Sequence, residues 1–155
     1  MKLLFLFSLV LAAHAETAVP NPSYVTIGKV ETVVLKQGQA ADAIIPAAVL
    51  KGHHIQANPA TLPNLIATEL SVEPLEGLAI GKTVYPKSKA WKLKTASKTI
   101  QTYEGDLVLK INLTSTTLKS GNYEVKGSLR YQACDEKNCF FPTSTPVVIP
   151  VTVVK

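Results

Sequence analysis

Residues 107–113 alternate without a break: Leu107, Leu109, Ile111 and Leu113 share one parity, and Val108, Lys110 and Asn112 the other. A period of two is the signature of a strand with one buried face. The pattern recurs where Tyr123, Val125, Gly127, Leu129 and Tyr131 alternate with Glu124, Lys126, Ser128 and Arg130, and again at Val147, Ile149, Val151 and Val153. No stretch of useful length carries the 3.6-residue period of an amphipathic helix. The chain is therefore expected to be all-β. Further strands are expected at 25–36, 40–49, 53–58, 66–73 and 98–103. Turn-forming runs separate them, among them Lys51-Gly52, Asn58-Pro59, Glu104-Gly105-Asp106 and Ser120-Gly121-Asn122. Many short strands with polar turns predict an immunoglobulin-like antiparallel β-sandwich, with a closed barrel as the competing architecture. Two stretches break the pattern and read as loops: 58–64, and 77–91 with Gly81, Tyr85-Pro86 and the single tryptophan, Trp91. Trp91 is expected to pack in the core, as large aromatics usually do; the alternative is a cover over the cysteines.

The first residues read as an export signal. Lys2 supplies a positive charge, residues 3–13 are an apolar run, and Ala13-His14-Ala15 fits a small-x-small cleavage site. The apolar run is too short to span a bilayer, and no later segment reaches the roughly 20 residues required. The expected organisation is a signal peptide at 1–15, a disordered lead-in at 16–22 and one domain at 23–155, about 140 residues after cleavage, enough for a core. The expected location is the periplasm, or the exterior if the cell is not Gram-negative, with no membrane insertion of the mature chain. Disulfides persist in such compartments.

The formal net charge is +5, of which Lys2 contributes one. Lys82, Lys87, Lys89, Lys92, Lys94 and Lys98 cluster and fit the edge of a sheet, where lysines deter edge-to-edge pairing; steering of an acidic partner is the alternative. Nucleic-acid binding finds no support, since Arg130 is the only arginine and no aromatic ladder or motif is present. No serine–histidine–aspartate arrangement or phosphate loop stands out. His53 and His54 are adjacent, so on a strand they would point to opposite faces and could not chelate one metal together. No metal or other cofactor is expected.

The two cysteines, Cys134 and Cys139, flank Asp135-Glu136-Lys137-Asn138, a polar, turn-compatible run. The strand through Leu129 and Tyr131 leads into Cys134, so the pair is expected to close the base of a hairpin with a four-residue loop, at separations compatible with a disulfide. A loop of this length yields only about 2 kcal/mol of chain-entropy stabilisation, against about 4.7 for a loop of 100 residues. A short-loop disulfide on an exposed tip is also within reach of an attacking thiolate. These points favour redox exchange, but spacing alone leaves it open against a simple hairpin staple in a non-catalytic binding or structural sandwich. The spacing is not Cys-x-x-Cys, and no helix pattern follows Cys134. Asp135 and Glu136 disfavour a nearby thiolate, and Lys137 partly offsets them. The pair reads as a dithiol that another protein oxidises or reduces.

Tyr131-Gln132-Ala133-Cys134, then Cys139-Phe140-Phe141-Pro142, then Val147-Val148-Ile149-Pro150-Val151 resembles the N-terminal periplasmic domain of the thiol:disulfide interchange protein DsbD. Gly52-His53-His54-Ile55-Gln56-Ala57-Asn58 is similar to the family's Gly-aromatic-His-Ile-x-x-Asn segment, and Lys82-Thr83-Val84-Tyr85-Pro86 to its Tyr-Pro element. The resemblance spans most of the mature chain, and the cysteine motif is its specific part. It implies an immunoglobulin-like sandwich whose Cys134/Cys139 pair cycles between dithiol and disulfide. The partner would be a thioredoxin-like or disulfide-isomerase-like protein, joined through a transient mixed disulfide. Cys139 would be the cysteine that partner thiols attack. The family's cap loop would fall around Tyr85, Pro86 and Trp91, and Phe140 is a further candidate for partner binding. The transmembrane and thioredoxin-like parts of DsbD are not recognised in these residues, so the resemblance implies either a separate reductant or another task on the same scaffold.

Overall fold

The computed structural model describes residues 23–92 and 98–155. The expected signal peptide, the lead-in and Lys94 lie outside the described residues. The described residues form strands β1 (Val25–Ile27), β2 (Val33–Lys36), β3 (Ala40–Val49), β4 (His54–Gln56), β5 (Glu69–Val72), β6 (Leu78–Val84), β7 (Lys89–Lys92), β8 (Thr99–Tyr103), β9 (Asp106–Ser115), β10 (Gly121–Tyr131), β11 (Ala133–Cys134) and β12 (Thr143–Val154), and no helix. Two four-stranded sheets, ordered β1-β3-β9-β6 and β2-β12-β10-β5, make an immunoglobulin-like sandwich rather than a barrel. A third sheet, ordered β11-β4-β8-β7, extends it and carries Cys134.

The alternation read from the sequence sets the faces. Leu107, Leu109, Ile111 and Leu113 are buried, as are Val125, Leu129, Tyr131, Val147, Ile149, Val151 and Val153, and all belong to one hydrophobic cluster that joins both sheets. Val108, by contrast, is 43% exposed. β10 and β12 pair along their length, from Gly121 opposite Val153 to Tyr131 opposite Thr143. Gly127 is required where β10 meets β5, because a Cβ there would lie 2.5 Å from Ser71 O.

The expected strand at 25–36 is two strands in different sheets. β1 pairs with β3 only as far as Ile27 opposite Ala47. Gly28 N donates to Pro46 O at 2.8 Å, but Pro46 has no N–H to return, so the ladder stops. The chain crosses to the other sheet, where β2 runs parallel to β12, an exception to the expected antiparallel order. The expected loop at 77–91 holds β6 and most of β7. A register irregularity between Ile80 and Thr83 breaks the period of two, which hid β6 from the sequence pattern. β6 and β7 end their sheets, so Lys82, Lys89 and Lys92 stand on edge strands, consistent with a role in protecting edges.

Candidate redox site

Three chain segments converge on the cysteines. β10 continues through Gln132 into β11, which pairs antiparallel with β4, placing Ala133 opposite Ile55 and Cys134 opposite His54. The turn Lys51-Gly52 delivers β4: Gly52 takes a φ of 81°, which suits glycine, and His53 N donates to Leu50 O at 3.0 Å. β8 lies on the far side of β4.

Cys134 and Cys139 form a disulfide with Cα atoms 4.0 Å apart, across an antiparallel bridge. The expected hairpin is present. Asp135 N donates to Asn138 O at 2.9 Å and Phe140 N to Ala133 O at 2.8 Å. Asp135 Oδ1 accepts from Lys137 N and Asn138 N, both at 2.7 Å. These two bonds hold the Asp135 carboxyl below its ordinary range, with weaker help from His53 and Lys137. The turn is thus closed by hydrogen bonds of its own as well as by the sulfurs.

The sulfurs are not equivalent. Cys134 is 0% exposed, whereas Cys139 is only partly buried. The expected exposed tip therefore describes neither sulfur fully: Cys139 is half-buried, and strand pairing draws Cys134 into the interior. Phe141, two residues beyond Cys139, is 93% exposed. A cleft of about 430 Å³ beside the hairpin is lined by Gly52, His54, Asp135, Glu136 and Lys137.

The residues around the cysteines divide into two groups. On one side Phe140 stacks on Tyr24 at a ring separation of 4.9 Å, and His53 lies tilted against Tyr24 at 4.9 Å. On the other, His54 stacks on Trp91 at 4.3 Å, and its Nδ1 lies 3.3 Å from Glu104 Oε2. Lys89 donates to Glu104 Oε1 at 2.8 Å. Burial pushes the His54 imidazole below its ordinary pKa; Glu104 opposes this, while His53 and Lys89 add to it. His53 lies just before β4 rather than in it, and the two histidine rings pack against different neighbours, His53 on Tyr24 and His54 on Trp91. Among the described residues no group of three or more histidine, cysteine, aspartate or glutamate side chains could hold a metal.

Of the other residues singled out from the sequence, Phe140 and Trp91 lie against this site, through Tyr24 and His54. Trp91 is half-buried on edge strand β7, not in the core as expected. An edge strand offers a large ring cover on one side only. Tyr85 packs partly buried against the core, and its hydroxyl accepts from Leu70 N at 3.0 Å. Pro86 follows it in the link between β6 and β7.

The motif residues before Cys134 have physical roles. The Tyr131 hydroxyl accepts from Tyr24 N at 3.1 Å, tying the start of β1 to β10. Gln132 accepts from Ile66 N at 2.9 Å and donates to Phe140 O at 3.1 Å. One residue escaped the sequence reading as a site member. Gln56, 0% exposed, donates from Nε2 to Cys134 Sγ at 3.2 Å. The two are 78 positions apart, and a lone glutamine in a short strand gives no sequence signal of this.

The fold and site together define an immunoglobulin-like sandwich with a disulfide-closed hairpin at its end. The model of the family "Thiol:disulfide interchange protein DsbD, N-terminal" matches residues 26–149, which include both cysteines. The chain belongs to this family. A similar solved structure is the N-terminal periplasmic domain of ScsB from Proteus mirabilis, with a TM-score of 0.57, 14% identity, and coverage of 85% of this chain and 48% of that one. The present chain thus spans about half the length of that domain. The N-terminal domain of DsbD from Neisseria meningitidis in the reduced form aligns with a TM-score of 0.48 and 15% identity over 71% of this chain and 77% of that one. No curated protein sequence matches the chain. Among the described residues, no helix is long and apolar enough to cross a membrane.

Proposed function

We propose that the chain is exported by a signal peptide at 1–15, that residues 23–155 form a periplasmic thiol–disulfide exchange domain following a lead-in at 16–22, and that Cys134 and Cys139 cycle between disulfide and dithiol. The observation that carries this reading is the unequal burial of the pair within a member of the interchange family: Cys139 is accessible and Cys134 is wholly buried. In the exchange, a thiolate of a thioredoxin-like or disulfide-isomerase-like partner attacks Cys139 Sγ in line with the existing bond. A partner–Cys139 disulfide forms, the Cys134–Cys139 bond breaks, and the electron pair leaves on Cys134. A second partner thiol then releases Cys139, leaving this domain reduced and the partner oxidised. The reverse sequence delivers electrons from the domain to a partner disulfide.

Cys139 attracts a partner for reasons of access. Phe141 offers an apolar anchor, and the cleft beside His54 offers a polar rim. Trp91 and Phe140 flank the pair as cap or docking residues, and Tyr85-Pro86 anchors the β6–β7 link that precedes Trp91. The competing role, a structural staple, is weakened by the hairpin's own hydrogen bonds, which already close the turn that the disulfide would hold.

The test is trapping. A Cys134→Ala protein expressed in a periplasm should accumulate a mixed disulfide through Cys139 with a thioredoxin-like protein, while Cys139→Ala should trap far less. Absence of any adduct with either variant, together with a reduction potential below about −300 mV, the range of structural disulfides, would establish the staple instead.

A further inference from the structure

The Gln56 side chain is buried yet only half used. Nε2 donates to Cys134 Sγ at 3.2 Å, while Oε1 is buried without a hydrogen-bond partner among the described residues. Thr102, the cross-strand neighbour of Gln56, likewise buries an unpartnered Oγ1. A buried acceptor without a donor is costly and calls for a reason, and a disulfide sulfur is only a weak acceptor for the amide it does engage. An apolar side chain of the same shape would fill this place without that cost in the disulfide state.

The reduced state supplies the reason. When Cys139 is attacked, the departing electron pair collects on Cys134 Sγ, in a site where burial disfavours a thiolate. A donor already fixed at that atom stabilises the charge as it forms and requires no reorganisation. Once protonated, the Cys134 thiol becomes a donor, and a half-turn of the Gln56 amide presents Oε1 to it. One side chain can thus satisfy the disulfide, the thiolate and the thiol in turn.

We propose that Gln56 is the hydrogen-bonding group that stabilises the Cys134 thiolate as leaving group in reduction, and as attacking group when Cys134 resolves a Cys139 mixed disulfide. The proposal rests on the exchange reading above. In the step assayed, a dithiothreitol thiolate forms a bond to Cys139, the Cys134–Cys139 bond breaks, and Cys134 leaves as a thiolate beside Gln56 Nε2. The second dithiothreitol thiol then releases Cys139 and closes the oxidised reagent.

The experiment compares wild type with Gln56→Met, which keeps the bulk and removes the amide, and Gln56→Glu, which keeps the length and places a carboxylate beside the sulfur. Reduction by dithiothreitol should slow about tenfold in Q56M, as expected for the loss of one hydrogen bond to a developing charge. The thiolate absorbance of Cys134, followed in a Cys139→Ser background, should titrate about one pH unit higher when Q56M is added. Reduction of Q56E should fall further behind wild type as the pH rises and its carboxylate ionises. Rates and titrations within twofold of wild type in both variants would overturn the proposal. If neither variant folds, the wild-type protein decides: the Gln56 side-chain amide resonances should move on reduction, and unchanged resonances would overturn it. A wild-type disulfide that resists dithiothreitol altogether would sink the exchange reading itself. Ready wild-type reduction with unaffected variants would sink only the role of Gln56.

Discussion

The side-chain amide of Gln132 donates to the carbonyl of Phe140 at 3.1 Å, and so fastens the chain entering the hairpin to the segment leaving it. Its carbonyl end also holds Ile66 N at 2.9 Å. Gln132→Ala should therefore loosen the loop before β5 and the segment after Cys139 together. Two bonds at the usual net worth put the loss at roughly 1–3 kcal/mol, readable as a lower denaturation midpoint of the oxidised protein.

Asp135 organises the turn through two backbone donors, and only its ionised form accepts both well. Because folding lowers its pKa, its contribution is present above the ordinary carboxylate range and is lost as the pH falls through the folded value. Asp135→Ala should speed hydrogen exchange at Lys137 and Asn138 at neutral pH. The wild-type protein should show the same acceleration only in acid; equal exchange in the two proteins at neutral pH would contradict this role.

For His54 folding favours the neutral form rather than the charged one, with the same direction of pH dependence. Its unfolded imidazole titrates near ~6.5, and burial lowers the folded value. The neutral ring's contribution to stability is complete above about 6.5 and is lost as the pH falls through the folded value. An NMR titration should place the His54 midpoint below that of an exposed histidine. Glu104→Gln removes the group that opposes the shift and should lower the midpoint further; a rise would refute the assigned electrostatics.

Gly127 admits no side chain without moving β5. Gly127→Val should cost on the order of 1–3 kcal/mol, the usual range for overpacking. It should also weaken the exchange protection of amides in β5 before those in β12. Uniform loss of protection across the fold would argue against a local clash.

The strand faces were legible because they depend on nearest neighbours. The parity of Leu107, Leu109, Ile111 and Leu113 sufficed to place them in the core, whatever they packed against. The hairpin at Cys134 and Cys139 was legible for the same reason, since its polar turn is contiguous. β6 was hidden because its irregular register destroys parity, and the split of 25–36 was hidden because it depends on Pro46, a residue of another strand.

The sequence by itself determined an all-β chain, its buried faces and a cysteine pair closing a short turn, all consequences of interactions between residues close in the chain. The tertiary structure decided which sulfur meets solvent and which is held by Gln56. That distinction arises only when β11 docks beside β4, far away in the chain, so that cross-strand burial and a buried amide act on Cys134 and not on Cys139.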